Sequence, residues 1–490
     1  MVCKQWSNVS LDIRWHEVSD LRAFFNLLAP VGVDDDIMKK KTCYIFLVDP
    51  KPQDWIRFEE KYCWRVRHLN LTVDSCSDET TDHIATLLSR VAHIRSCQPI
   101  LPNLTKITYE GKLSRGLSEY ATLFMHGNVS EAHIDQIEER DCDGFLQVIR
   151  TRMPNLTHLD LHIFPAPQNL TSVNGLVAAL PCLQSLIVPA FPDVSPVLRA
   201  LPDPTKLSTF KADYYTEEMI TLSVVPLSIL LSLNVLSIST RFQYLTASFQ
   251  DMLMSQLTTI SSMTDIIESP ADVMQLLSAL MQACPKLSSL LLEFDLDIQV
   301  PPVVSESRIQ MEHLTPLLTC STLTQFSFRH PYMLALDNED IERITSHLPL
   351  LEILVLNPTL TEASPKPTAL LTLEVLLSFA RHCPRIREIG LFLQAVITSQ
   401  EELLAKFPSN PFPRLRFLDV GDSYIANPIS VASFLGEILP LDAQVEYSCD
   451  QWKQVEDLLP MSLEKAFQAR RKIDVLEKRI RELESGAPRN

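Results

Sequence analysis

The sequence predicts an α/β solenoid, a horseshoe-like stack of helix–strand repeats with parallel strands on a concave face and helices on a convex face. Three observations predict it: a recurring apolar phrase, amphipathic stretches between its copies, and proline as the main punctuation. The phrase often runs Pro-x-Leu-x-x-Leu-x-Leu, as at Pro154-Asn-Leu-Thr-His-Leu-Asp-Leu, Pro285-Lys-Leu-Ser-Ser-Leu-Leu-Leu and Pro349-Leu-Leu-Glu-Ile-Leu-Val-Leu. Copies begin their apolar pattern at Val66, Leu104, Leu156, Leu183, Leu207, Leu233, Leu287, Leu323, Leu351, Ile386 and Leu415. Most steps span about 24 to 38 residues, and the two after Leu104 and Leu233 are nearly double, which is leucine-rich-repeat spacing.

Each phrase reads as a short strand, because its last apolar residues alternate with polar ones at period two. The intervals read as helices. In Ser77 to Cys97 the residues Ile84, Leu87, Leu88, Val91 and Ile94 share one face, and Ala271 to Cys284 repeats the pattern with Val273, Leu276, Leu277, Leu280 and Met281. A proline just after a helix cannot continue it and biases its predecessor toward extended geometry. No unit of this kind buries its apolar face alone, so the units stack. The alternative is a leucine-rich helical bundle in which the phrases are fortuitous. The expected organisation is an N-terminal segment over residues 1–30, the solenoid over 31–440, and a C-terminal cap with a charged helix over 441–490.

Composition narrows the function classes. Only 10 of 490 residues are glycine, far below the roughly 7% average, which leaves little material for phosphate-cradling loops. The net charge of -17 argues against general nucleic-acid binding, which needs basic patches. Eleven cysteines without a C-x-x-C pair fit free thiols of a cytoplasmic or nuclear protein. No secretory leader is apparent, so the sequons at Asn8, Asn70, Asn103, Asn128, Asn155 and Asn169 are expected to stay unmodified. Met219 to Thr240 carries no charge, yet Pro226 and many Ser and Thr residues make it a buried helix and strand rather than a membrane span.

Val2-Cys3-Lys4-Gln-Trp6 followed by Leu11-Asp12-Ile-Arg-Trp15 resembles the second half of the F-box, which ends V-C-K-x-W, a short apolar stretch, then D-x-x-L/I-W. Leu21 to Pro30 is also similar to F-box proteins with irregular leucine-rich repeats in mushroom-forming fungi. Residues 1–30 then form a partial F-box and linker. The resemblance implies substrate recruitment for a cullin-based (SCF-type) ubiquitin ligase. Val2, Cys3, Trp6, Leu11 and Trp15 would contact the Skp-type adaptor. The Leu-Pro-x-Glu opening and first helix of the pattern have no counterpart in the sequence, so adaptor binding is expected to be weak unless they are supplied. Alternatively the segment caps the solenoid, Trp6 and Trp15 sealing the first repeat of a scaffold with no ligase connection.

No nucleotide-binding, nucleophile-elbow or zincin motif occurs. Enzymatic activity, cofactor and metal are therefore not expected. The nearest approach to a metal group is His158-Leu-Asp160-Leu-His162. Same-face neighbours on one strand diverge, and no further ligand is apparent, so a polar patch is expected there. Asp34 to Asp36 with Lys39 to Lys41, and Glu59-Glu60-Lys61, read as solvated loops.

The concave face is expected to present the alternate residues of each phrase. These are polar in the first half, for example His68, Asn70, Lys106, Thr108, His158 and Asp160. In the last third they include apolar anchors, and Ile353, Val355, Asn357, Glu388, Phe392, Phe417 and Asp419 are the expected protein-binding residues. A one-residue slip in register, or a covering tail, would hide that patch. Ser462 to Ser485 reads as a charged helix with Ala466, Ala469, Ile473, Leu476, Ile480 and Leu483 at heptad positions, either a short coiled coil or a cap on the last repeat.

Overall fold

The structure, a computed structural model, describes residues 4–36, 41–72, 78–95, 99–111, 113, 115–137, 142–213, 225–250, 253–294, 308–359, 371–408 and 411–486. It divides into two compact units, Met1–Ser239 and Thr240–Asn490.

The first unit opens with helix α1 (Lys4–Arg14) and helix α2 (Leu21–Phe25), and a third helix, α3 (Pro52–Lys61), follows a hairpin. Its strands are β1 (Glu17–Val18), β2 (Val31–Asp36), β3 (Lys41–Phe46), β4 (His68–Thr72), β5 (Lys106–Glu110), β6 (Glu131–Ile134), β7 (His158–Leu161), β8 (Ser185–Pro189), β9 (Thr209–Asp213) and β10 (Val235–Ser239). All but β2 and β3 form one parallel ladder in sequence order. The second unit contributes β11 (Thr259–Thr264), β12 (Ser289–Phe294), β13 (Gln325–Phe328), β14 (Ile353–Leu356), β15 (Glu388–Leu391), β16 (Gln394–Ala395), β17 (Phe417–Gly421), β18 (Tyr424–Ile425) and β19 (Gln444–Tyr447). Here β11 to β15, β17 and β19 are the parallel ladder, and β16 pairs with β18 beside it. A parallel strand after each helical crossover is the leucine-rich-repeat unit.

One repeat shows how the sequence makes the unit. Ser269 and Asp272 close a capping box at the start of helix Pro270–Ala283, and Pro270 sits where no amide donor is needed. Val273, Leu276, Leu277 and Leu280 bury the inner stripe, each contributing about 1.5–3 kcal/mol if fully removed from water. Cys284 ends the helix at φ -120°, the extended bias expected before proline. Leu287 N–H then donates to Cys284 C=O at 3.1 Å, so Pro285 occupies the second position of a tight turn, where its fixed φ fits. The same turn recurs as Leu104 to Leu101, Leu351 to Leu348 and Ile386 to Cys383. The recurrent proline therefore both stops the helix and turns the chain into the strand. The phrase leucines Leu104, Leu156, Leu287, Leu351 and Leu415 are fully buried, as are the strand residues Leu186, Leu290, Leu354 and Leu418.

The two double-length intervals each hold a strand that the sequence pattern conceals. Strand β6 follows Val129, and β11 follows Leu257, both buried like the phrase leucines. Glycine, serine and threonine around them dilute the leucine pattern.

Several boundaries differ from expectation. The first unit's ladder begins within residues 1–30, at β1, and the second unit's runs past Pro440 to β19. Asp34–Asp36 lie in the β2–β3 hairpin rather than a loop, with Asp36 opposite Lys41; Lys39 and Lys40 lie outside the described residues. Glu59-Glu60-Lys61 end helix α3. The uncharged stretch before Arg241 contains, where described, a one-turn helix (Leu227–Leu230) and β10. No helix among the described residues is long and apolar enough to cross a membrane.

The C-terminal helix spans Lys453–Gly486 and tolerates Pro460 internally. Its first half packs on helix Pro428–Ile438 through Val455, Leu459, Leu463 and Ala466, all buried. Gly436 permits the close approach, since a Cβ there would stand 2.6 Å from Ser462 Cβ. Trp452 is fully buried beside this junction and donates to Ser423 C=O at 2.8 Å. The helix is thus a cap over its first half, while Leu476 and Ile480 are exposed in its second.

Candidate protein-interaction site

In the second unit the register matches the expected faces. Gln325, Ile353, Glu388 and Phe417 stand side by side, and Ser327, Val355, Gly390 and Asp419 form the next row. The first row and Asp419 are half-buried. Three expected binding residues are not exposed. Val355 is only 3% exposed, because Gly390 beside it has no side chain and Val355 fills that space, its Cγ1 2.9 Å from where a Cβ would sit. Phe392 is 8% exposed and lines a small pocket with Met333, Leu336, Leu356 and Leu371. Asn357 is buried in the left-handed region at φ 50°. Its Oδ1 accepts from His330 N–H at 2.7 Å and its Nδ2 donates to Tyr332 C=O at 3.0 Å, tying one repeat's strand end to the preceding loop. These three residues are structural. The period-two pattern fails there because the strands end at Leu356 and Leu391 and the chain turns inward.

The available surface of this row is acidic. Burial, reinforced by Glu446 and Asp419, pushes the Glu388 carboxyl above its usual range. Burial likewise raises Asp419, against the hydrogen bond from Gly421 N–H and the nearby Arg329. With Ile353 and Phe417 adjacent, the row is an acidic surface with apolar edges.

On the first unit the exposed face forms an open trough of about 460 Å³, lined by residues including His68, Asn70, Lys106, Glu131, His133, His158 and Asp160. Its centre was only partly legible. Asp160 on β7 lies opposite His133 on β6. His133 Nδ1 is 2.7 Å from Asp160 Oδ2, and His162 Nε2 is 2.7 Å from Asp160 Oδ1. His162 reaches back because it follows the last residue of β7, its N–H held by Ile134 C=O at 2.8 Å. His158 stands apart and exposed. Burial pushes the Asp160 carboxyl up, but the two imidazoles outweigh it and hold it well below the usual carboxylate range. The hydrogen bond to Asp160 raises His133 against the opposing effect of burial. Dividing the long interval after Leu104 at Val129 would have aligned His133 with Asp160.

At the N-terminus, Val2 and Cys3 lie outside the described residues. Trp15 packs against Phe24 and Tyr62, at centroid distances of 5.5 and 6.1 Å. Arg65, itself buried, pairs with Asp12 and donates to Asn8 C=O, fixing one side of α1 to the first unit. Leu11 is half-buried. Trp6 is 68% and Ile13 75% exposed, and Val9 between them is exposed too. Their spacing of three and four residues puts them in one stripe along the helix. Trp6 therefore does not seal the first repeat.

No protein-family model matches the sequence, and no curated protein matches it either. The chain is similar to a structure described as the complex of Rad7 and Elc1 in yeast, at 12% identity and a TM-score of 0.40, covering 90% of this chain and 93% of that one. It is also similar to the leucine-rich repeat-containing protein LegL7 from Legionella pneumophila, at 12% identity and a TM-score of 0.27, covering 72% and 93%. The leucine-rich-repeat architecture itself rests on the ladders, turns and buried leucines described above.

Proposed function

We propose that this chain is a non-enzymatic, intracellular protein-interaction subunit that recruits a protein substrate to a cullin-based ubiquitin ligase. The observation that carries the reading is the exposed Trp6, Val9 and Ile13 stripe on α1, a helix anchored to its unit by Arg65 through Asp12 and Asn8. An apolar stripe on a helix already fixed to its own unit suits another helix, from a completed F-box or the Skp-type adaptor. The acidic row of Glu388, Asp419 and Glu446, flanked by Ile353 and Phe417, suits a substrate segment carrying basic and apolar side chains.

The packing of Trp15 on Phe24 and Tyr62 favours a second reading, in which α1 caps a repeat scaffold with no ligase connection. Affinity purification separates the two. The chain, and a version preceded by a first F-box helix, are each used as bait, and bound adaptor and cullin are identified. The ligase reading expects the extended version to recruit both. It also expects Trp6→Ser with Ile13→Ser to abolish recruitment while thermal unfolding is unchanged. If the extended version recruits neither, the scaffold reading stands.

A further inference from the structure

We infer that His133, Asp160 and His162 form a binding site for a divalent transition-metal ion of the zinc class. The ligand atoms of the three side chains all lie within 4.8 Å of one another. Zinc bonds of about 2.0–2.1 Å place tetrahedral ligands roughly 3.4 Å apart, so rotamer adjustments of an ångström or so close the set. Two imidazole nitrogens and one carboxylate are the donors that borderline metals of this class prefer, and calcium or magnesium would favour an all-oxygen set.

The backbone preorganises the group. His133 and Asp160 are register partners on adjacent parallel strands, and the hydrogen bond from His162 N–H to Ile134 C=O fixes the third ligand. Each side chain keeps between 22% and 30% exposure, so an ion enters from the trough without any part of the fold opening. Asp160 contacts both imidazoles through different oxygens, so one cation placed between them replaces two separate contacts. Three protein ligands leave a coordination position open toward the trough, where water or a group from a bound partner completes the shell. The inference is independent of the ligase reading, because it involves neither the acidic row of the second unit nor α1.

The test is a calorimetric titration of the full chain, first stripped with chelator, with Zn²⁺, alongside the absorption and X-ray absorption spectra of the Co²⁺- and Zn²⁺-loaded protein. One ion per chain is expected, with two imidazole scatterers and no thiolate band from the cysteines. His133→Gln and His162→Gln should each weaken binding at least about tenfold, since even supporting groups around metals are worth 10–100-fold. His158→Ala should bind as wild type. A sulfur shell, no stoichiometric binding, or unchanged affinity in folded His133→Gln and His162→Gln proteins would overturn the inference. If a variant fails to fold, the scatterers around zinc in the wild-type protein decide alone.

Discussion

Asn357→Ala gives the sharpest test of whether the strand ends of the second unit are core or binding surface. The substitution removes the acceptor for His330 N–H and a donor to Tyr332 C=O, both buried. Leaving a buried group unsatisfied costs about 1–3 kcal/mol. The His330 amide loses its acceptor, and the Tyr332 carbonyl loses the donor Nδ2 without replacement, because His330 Nδ1 already accepts from Tyr332 N–H at 3.1 Å and has no proton to offer it. Alanine must further adopt φ 50°, which asparagine tolerates and alanine pays about 1–2 kcal/mol to reach. The sum is about 2–5 kcal/mol. Asn357→Gly loses the same hydrogen bonds without the left-handed strain, so it should be milder by about 1 kcal/mol. Denaturant unfolding of the three proteins at one pH supplies both differences, and amide exchange locates the loss in the segment from His330 to Pro358. An Asn357→Ala protein within about 0.5 kcal/mol of wild type, a surface-like value, would refute the structural role and restore Asn357 as a contact residue.

Three further outcomes follow from the same geometry. Phe392→Ser should destabilise by about 3–5 kcal/mol, as large core truncations do, and half-buried Phe417→Ser by clearly less; equal melting temperatures would contradict the burial. Gly421→Ala places a Cβ 2.0 Å from Pro358 C=O at φ 44°, so a melting temperature like that of wild type would show that Pro358 does not pack there. Glu388→Gln with Asp419→Asn should stabilise at pH 7 by on the order of 0.5–1 kcal/mol, the scale of screened, partly exposed charges. Both folded pKa values are raised, so the favourable contribution of protonation is complete below the unfolded values near 4 and lost as pH rises through the folded ones. The variant's advantage should therefore vanish in melts below about pH 4, and its absence at pH 7 would refute the proposed crowding of the acidic row.

What the sequence makes legible is whatever repeats with leucine. The phrase at Leu287 and Leu290, the helix over Pro270–Ala283 and the register of Ile353 beside Glu388 all follow from period and punctuation. Strands β6 and β11 did not stand out, because Val129 and Ala132, or Leu257 and Ile260, bury the same face with fewer leucines. That omission concealed His133, and with it the cluster on the first unit. The burial of Val355 and Phe392 escapes the sequence for another reason. Alternation tells which side of a strand a residue takes, but whether that side is wet depends on its neighbours, here a glycine at 390 and a chain that turns at Leu391.

The strand ends of the second unit carry a further consequence for recognition. After β13, β14, β15 and β17 the chain folds into a closed second layer. His330 accepts and donates within it, Leu393 N–H donates to Ser423 Oγ at 2.7 Å, and β16 pairs with β18. Its apolar residues Tyr332, Met333, Leu334, Phe392 and Leu393 are buried there, while Val396 and Tyr424 stay exposed. In the proposed reading the half-exposed sheet row would select by charge and by the spacing of Ile353, Glu388 and Phe417 across adjacent strands. Since neighbouring strands stand about 4.8 Å apart, a bound segment running across the ladder presents a side chain to successive strands, whereas one running along a single strand meets only two of them. In the proposed reading a segment bound across the strands would meet the whole row, and because Ile353, Glu388 and Phe417 are register neighbours on adjacent strands, their substitutions should couple in their effects on affinity rather than add.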